Sequence, residues 1–275
     1  MTTDLPTAAD SALTLYGSEL RRLRTERGLT QDQLAVAISY STTLIGMVEN
    51  ARRNPNPDFT HRCDDVLRTG GALNRLLPLI AREAYPSWFR PFVDMEAEAL
   101  SIQEFEVQVV TGLLQTEDYA RAILNSWPPR TAEDIERRLV ARMERQQILH
   151  RDDPPLLSFV LDESVLRRPM CEPRLMAAQL AHLIAAAELP HVQLQVLPFD
   201  RAAKAPTDGS YVVLELPKKD RYIYVEGPGS GRLIPEQDLV DRFAQAFARA
   251  QCQALAVEDS IGLIARLKRD LYEHP

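Results

Sequence analysis

The stretch Leu29–Asn54, "LTQDQLAVAISYSTTLIGMVENARRN", constrains the fold of this chain most, because it dictates two short helices with a tight turn between them. Thr30 is followed three residues later by Gln33, a capping-box spacing in which hydroxyl and amide each satisfy a free backbone donor; it predicts a helix through Ile38. The "SYS" of 39–41 interrupts that helix, and Ser41 can cap a second one from Thr42 to about Asn50. The "RRNPNPD" that follows stops it, since each proline lacks a donor and restricts the residue before it. Leu34, Ile38, Tyr40, Ile45 and Val48 are spaced to share one core, and Ala35 is small enough for close helix contact.

Helical patterning continues on both sides. "LYGSELRRLRTERG" predicts a helix with Leu15, Leu20 and Leu23 on one face and Gly28 as its stop. "DFTHRCDDVLRT", ended by Gly70-Gly71, and "LNRLLPLIARE" predict two more. Residues 1–14 read as a flexible tail, 15–84 as a mainly α five-helix domain, and 85–275 as a larger second domain.

In the second domain the texture changes to strand-like runs, "IQEFEVQVV", "LLSFVLDE", "HVQLQVLPF", "GSYVVLELP" and "RYIYVEG", mixed with helices. The last two runs flank "PKKD" and predict an antiparallel hairpin. A polar helix is expected over 131–151, and "VEGPGSGRLIPEQ" reads as a flexible turn, since it lacks the register and the Lys of a phosphate loop. Strands and helices partly segregate, so the expected class is α+β with a mixed or antiparallel sheet.

The second short helix, from Thr42 to Asn50, has no Lys or Arg along its length. The chain's formal charge is −7, and residues 1–85 hold ten Arg against ten acidic residues, so any nucleic-acid binding must be local. An exposed second helix of this kind would present Ser41, Thr42, Thr43, Gly46 and Met47 to base edges in a major groove. Gln31 and Arg21, Arg22, Arg24, Arg52 and Arg53 are the candidates for phosphate contacts. Small side chains on the reading face favour thymine methyls over bidentate guanine contacts, which predicts an A·T-leaning half-site.

Catalysis has no motif behind it. The five histidines lack any HxH or HExxH spacing, and Cys63, Cys171 and Cys252 are far apart, so no metal site, cofactor or disulfide framework is expected. Asp162-Glu163 lacks a nucleophile nearby and reads as an ion-pair partner of Arg167 and Arg168. The start has neither a basic n-region nor an apolar h-region, so the expected location is cytoplasmic.

The residues "LRRLRTERGLTQDQLA…VENARRNP" resemble the xenobiotic-response-element (XRE) regulators of the phage-repressor superfamily over about 15–75, which implies a lambda-repressor-like DNA-binding domain. Ser39 stands where that family usually has Gly, at a turn favouring positive φ. The segments "EFEVQVVTGLLQTEDYARAIL", "RMERQQIL", "LDESVLRR", "QLAHL", "VQLQVLPF" and "YVE" resemble the antitoxin-like XRE regulators of high-GC bacteria, with Thr111 in place of the family's Pro. That resemblance implies a non-enzymatic transcriptional regulator with a small protein partner encoded nearby; a single head would cover little double-stranded DNA, so a homodimer is expected. Its alternative is an antitoxin-like protein that neutralises that partner and uses DNA binding for autoregulation. Residues 112–121 and 162–168 match best; they read as framework or as a partner or ligand groove bordered by Gln115, Tyr119, Glu163 and Arg167.

Overall fold

The computed structural model describes residues 12–126, 131–204 and 209–273. The expected tail therefore lies outside the described residues up to position 11; from Ala12 onward the chain is helical. The chain forms two compact units, residues 1–86 with 131–144, and residues 87–130 with 145–275.

The first unit begins with five helices, α1 (Ala12–Glu26), α2 (Gln31–Ile38), α3 (Thr42–Glu49), α4 (Pro57–Leu67) and α5 (Leu77–Ala84). The expected caps are in place. Thr30 accepts from the Gln33 amide at 3.1 Å while Gln33 Oε1 accepts from the Thr30 amide at 2.8 Å, and Ser41 accepts from the Leu44 amide at 3.2 Å. Ser39 takes the left-handed conformation, φ 61°, and Asn56 caps α4 ahead of Pro57. Two local expectations shift. Leu15 faces outward, because Tyr16, Gly17 and Leu20 form the buried stripe of α1. α4 ends on Arg68 in the left-handed region rather than at the glycine pair.

The core of this unit gathers Tyr16, Leu20, Leu34, Ala35, Ile38, Ile45, Val48, Phe59 and Leu67. After α6 (Arg90–Glu98) and α7 (Glu117–Asn125), which belong to the second unit, the chain contributes a further helix to the first: α8 (Ala132–Arg145). This corrects the reading that placed all of 85–275 in one second domain. Its buried side is Ile135, Leu139 and Ala141, and the Tyr85 hydroxyl donates to the Ala141 carbonyl at 2.5 Å. Regular α-helix stops at Arg145, and Gln146–His150 continue as a 3-10 turn.

The second unit is built on a six-stranded mixed sheet: β1 (Ser101–Glu106), β2 (Leu156–Asp162), β3 (Val192–Leu197), β4 (Tyr211–Glu215), β5 (Arg221–Gly227) and β6 (Ser230–Ile234). The order is β3-β2-β1-β4-β5-β6, parallel from β3 to β1 and antiparallel beyond. The parallel pairs need helical crossovers; one carries α9 (Glu163–Arg167) and α10 (Pro173–Ala186). α11 (Gln237–Gln253) and α12 (Val257–Leu267) complete the unit.

Period-two alternation on β1 sends Ile102 to one face and Phe105 to the other. The Ile102 face packs Leu157, Phe159, Leu194 and Val212 against Phe92, Tyr119, Met176, Leu180 and Ile264; the Phe105 face packs Val160, Val213 and Ile223 against Val240, Phe247 and Ala250 of α11. The predicted "PKKD" hairpin is present between β4 and β5. The glycine-rich "VEGPGSGRLI" is corrected from a flexible turn to a second hairpin, in which Gly229 at φ 71° lets β6 fold back on β5.

Candidate nucleic-acid interface

The position of α3 is fixed from below by one carboxylate. Glu49, at the last turn of α3, has a fully buried side chain. It accepts Arg24 Nε at 2.5 Å and a second Arg24 nitrogen at 3.0 Å, Arg21 Nε at 3.3 Å, and Gln31 Nε2 at 2.8 Å. Burial alone would raise its pKa, but the hydrogen bonds from Arg24 and Gln31 and the Arg24 charge hold it below the ordinary carboxylate range. One group thereby joins α1, α2 and α3. Gly17 lets α1 approach: a Cβ there would lie 2.6 Å from the Val48 carbonyl oxygen and 2.9 Å from that of Glu49. Gly46 gives room to the Gln31 amide, which a Cβ would meet at 3.5 Å.

The side chains of α3 read from the sequence differ in their exposure. Ser41, Thr43 and Met47 are exposed, and Gly46 is half-buried. Thr42 is half-buried and committed: its hydroxyl donates to Asp32 Oδ1 at 2.6 Å. Asp32, the second residue of α2, is exposed and makes no ion pair among the described residues. Asn50 caps the end of α3, its amide donating to the Gly46 carbonyl and its Oδ1 accepting from Arg21 at 2.7 Å.

The candidate phosphate contacts divide into two sets. Arg24 points inward, its side chain 12% exposed, and donates also to the Leu29 carbonyl; Gln31 is held by Glu49. Both are structural in this fold, and sequence spacing could not reveal the buried carboxylate that takes them. Arg21 remains half-exposed while bonded to Glu49 and Asn50, and Arg22 is paired with Glu19 and Glu26 along α1. Arg52 and Arg53, just past α3, are exposed and make no ion pair among the described residues. An open groove of about 770 Å³ is lined by Ser18, Arg21, Arg22, Thr25, Glu49 and Asn50.

The groove read from the sequence in the second unit does not form. Gln115 is buried and donates to the Val110 carbonyl at 2.6 Å, Tyr119 is buried with its hydroxyl accepting from the Val110 amide, and Glu163 is buried with its carboxylate on Arg167 and the Phe199 amide. Only Arg167 is exposed. The reason is that 111–116 is clasped from two sides. Gln179 accepts from the Thr116 amide and donates to the Leu114 carbonyl, and Gln146 donates to the carbonyls of Gly112 and Gln115. These residues are framework.

Sequence reading also missed a buried polar cluster beside that clasp. Arg145 pairs with Glu96 at 2.9 Å and lies over the rings of Phe89 and Phe92. Thr111 donates to Glu104 at 2.6 Å, and Ser210 donates to Glu106 at 2.6 Å. Burial pushes Glu96 up to about 7, the Arg145 charge opposing and the Glu104 charge adding to the shift. Glu104 and Glu106 are raised as well, first by burial; for Glu106 the Glu104 charge adds to it. Among the described residues, no group of three or more His, Cys, Asp or Glu is placed to hold a metal ion, and no helix is long and apolar enough to cross a membrane.

A two-helix motif of this build, capped at both N-termini and presenting one polar face, defines the first unit as a helix-turn-helix domain, and residues 15–77 match the family of that description. Residues 89–266, more than half of the chain, match the family described as a domain of unknown function, DUF5753. The protein belongs to the DUF5753 family. A segment of 49 residues is 49% identical to the HTH-type transcriptional regulator PrpR of Mycobacterium tuberculosis; the match covers 18% of this chain and 10% of that relative. No solved structure matches the chain.

Proposed function

We propose that the chain is a sequence-specific DNA-binding transcriptional regulator that acts in the cytoplasm as a homodimer, with α3 as its reading helix. The observation that carries this reading is the Glu49 hub: it anchors α3 to α1 and α2 from the inside while Ser41, Thr43 and Met47 stay exposed. Arg52 and Arg53 then supply phosphate contacts, with Arg21 and Arg22 at the rim. The short match to a regulator of the helix-turn-helix type supports the same reading. A single head of this size buries only about 600–1,000 Å² on DNA, so two heads on half-sites about one helical turn apart supply the affinity.

The second unit is read as the receiver of a small partner protein or effector, on the strength of the family resemblance. The test is selection of bound sequences from a random duplex pool by the full chain. Enrichment of a two-fold symmetric site supports the regulator, and an unenriched pool overturns it. Co-purification with a small protein encoded beside the chain tests the partner half separately.

A further inference from the structure

Asp32 sets a carboxylate on the face that the proposed regulator turns toward DNA. It is exposed and, among the described residues, it forms no ion pair and accepts one side-chain hydrogen bond, the 2.6 Å contact from Thr42. A negative charge there opposes phosphate and lowers affinity for every sequence, unless a base returns a hydrogen bond to it. The Asp32–Thr42 contact also fixes the hydrogen-bonding polarity of the pair. The Thr42 proton is spent on Asp32, so its oxygen can only accept, and an ionised carboxylate can only accept. Oδ2 of Asp32 is free of the Thr42 contact.

Resting on the DNA-reading function above, we propose that Asp32 and Thr42 form an acceptor-only pair that selects cytosine at one position of each half-site. In the major groove, guanine offers two acceptors and thymine one, and both are repelled. Adenine and cytosine offer amino donors, but adenine sets its N7 acceptor beside the amino group, whereas cytosine presents none. The pair thus departs, at this single position, from the A·T lean of the rest of the reading face.

The experiment is selection from a random duplex pool by the full chain and by its Asp32→Asn and Thr42→Val variants, with thermal unfolding as the check on folding. Cytosine is expected at one fixed position of the parent site in about tenfold excess over guanine or thymine. Asp32→Asn, which replaces an acceptor with an amide that can donate, should abolish that excess while binding to random DNA tightens several-fold at low salt. Thr42→Val, which frees the carboxylate to turn, should weaken the same position and no other. An enriched parent site that Asp32→Asn leaves unchanged overturns the assignment while the regulator stands. A parent that enriches nothing overturns the DNA-reading function and this assignment with it.

Discussion

Arg24 and Glu49 meet in a two-pronged clamp, Nε on one carboxylate oxygen at 2.5 Å and a terminal nitrogen on the other at 3.0 Å. The carboxylate is fully shielded from water, and the arginine nearly so. Because Arg21 and Gln31 add to the same group, one ionised side chain ties α1, α2 and α3 together. The apolar residues Ile45 and Val48 of α3 are buried in the core of the same unit.

Removing Glu49 leaves the Arg24 guanidinium buried without a counter-charge. Glu49→Ala is therefore expected to cost about 3–5 kcal/mol of unfolding free energy. Urea titration of the full chain measures it. A loss under about 1 kcal/mol would show that water reaches Arg24 and that the hub is not what holds α3.

Gly17 has no room for a methyl group, since the atoms in the way are the backbone oxygens of Val48 and Glu49. Gly17→Ala should force α1 away from α3 and destabilise by roughly 1–3 kcal/mol. Gly46→Ala is the control: its added carbon meets only the end of Gln31 at 3.5 Å, and alanine is the better helix former by about 1 kcal/mol. Thermal unfolding of the two variants should move in opposite directions.

Arg52 and Arg53, just past α3, make no ion pair among the described residues, so their charge is available to phosphate. Arg52→Ala and Arg53→Ala should each weaken binding to all sequences alike and reduce the slope of log affinity against log salt by about one. Arg24→Ala should instead lower stability. Unchanged salt slopes in the first two variants would remove them from the phosphate set.

The turns and caps were legible because they are written in neighbouring residues. Thr30 with Gln33 and Ser41 ahead of α3 follow from spacing within four residues, and the left-handed Ser39 from the family resemblance at that turn. What was not legible depends on distant parts of the chain. Nothing near Arg24 announces that Glu49 will take it, and nothing near Thr42 announces Asp32. The helix over 131–145 was seen but not its allegiance to the first unit, which rests on packing with residues such as Tyr85. In the second unit, Gln115 and Tyr119 lie in a segment that matches the family well, which leaves framework and groove both open; the clasp of 111–116 by Gln146 and Gln179 comes from outside that segment. β6 was lost because glycines that signal flexibility also make tight hairpins.

The buried cluster at Glu96 makes the second unit respond to pH in a direction opposite to ordinary acid denaturation. An unfolded glutamate releases its proton near 4.5, while burial holds that of Glu96 to about 7 against the pull of Arg145. Between those values the folded state keeps a proton that the unfolded state has lost, so raising the pH favours unfolding. Below about 4.5 both states are protonated and the group contributes its full share; above about 7 both are ionised and the share is gone, a difference of about 3 kcal/mol. Glu104 and Glu106 are shifted the same way and add to the trend. Unfolding midpoints of the full chain should therefore fall as the pH rises from 5 to 8. Glu96→Gln, which stays neutral throughout, should flatten that dependence, and a parent curve already flat over this range would mean that Glu96 is ionised in the fold.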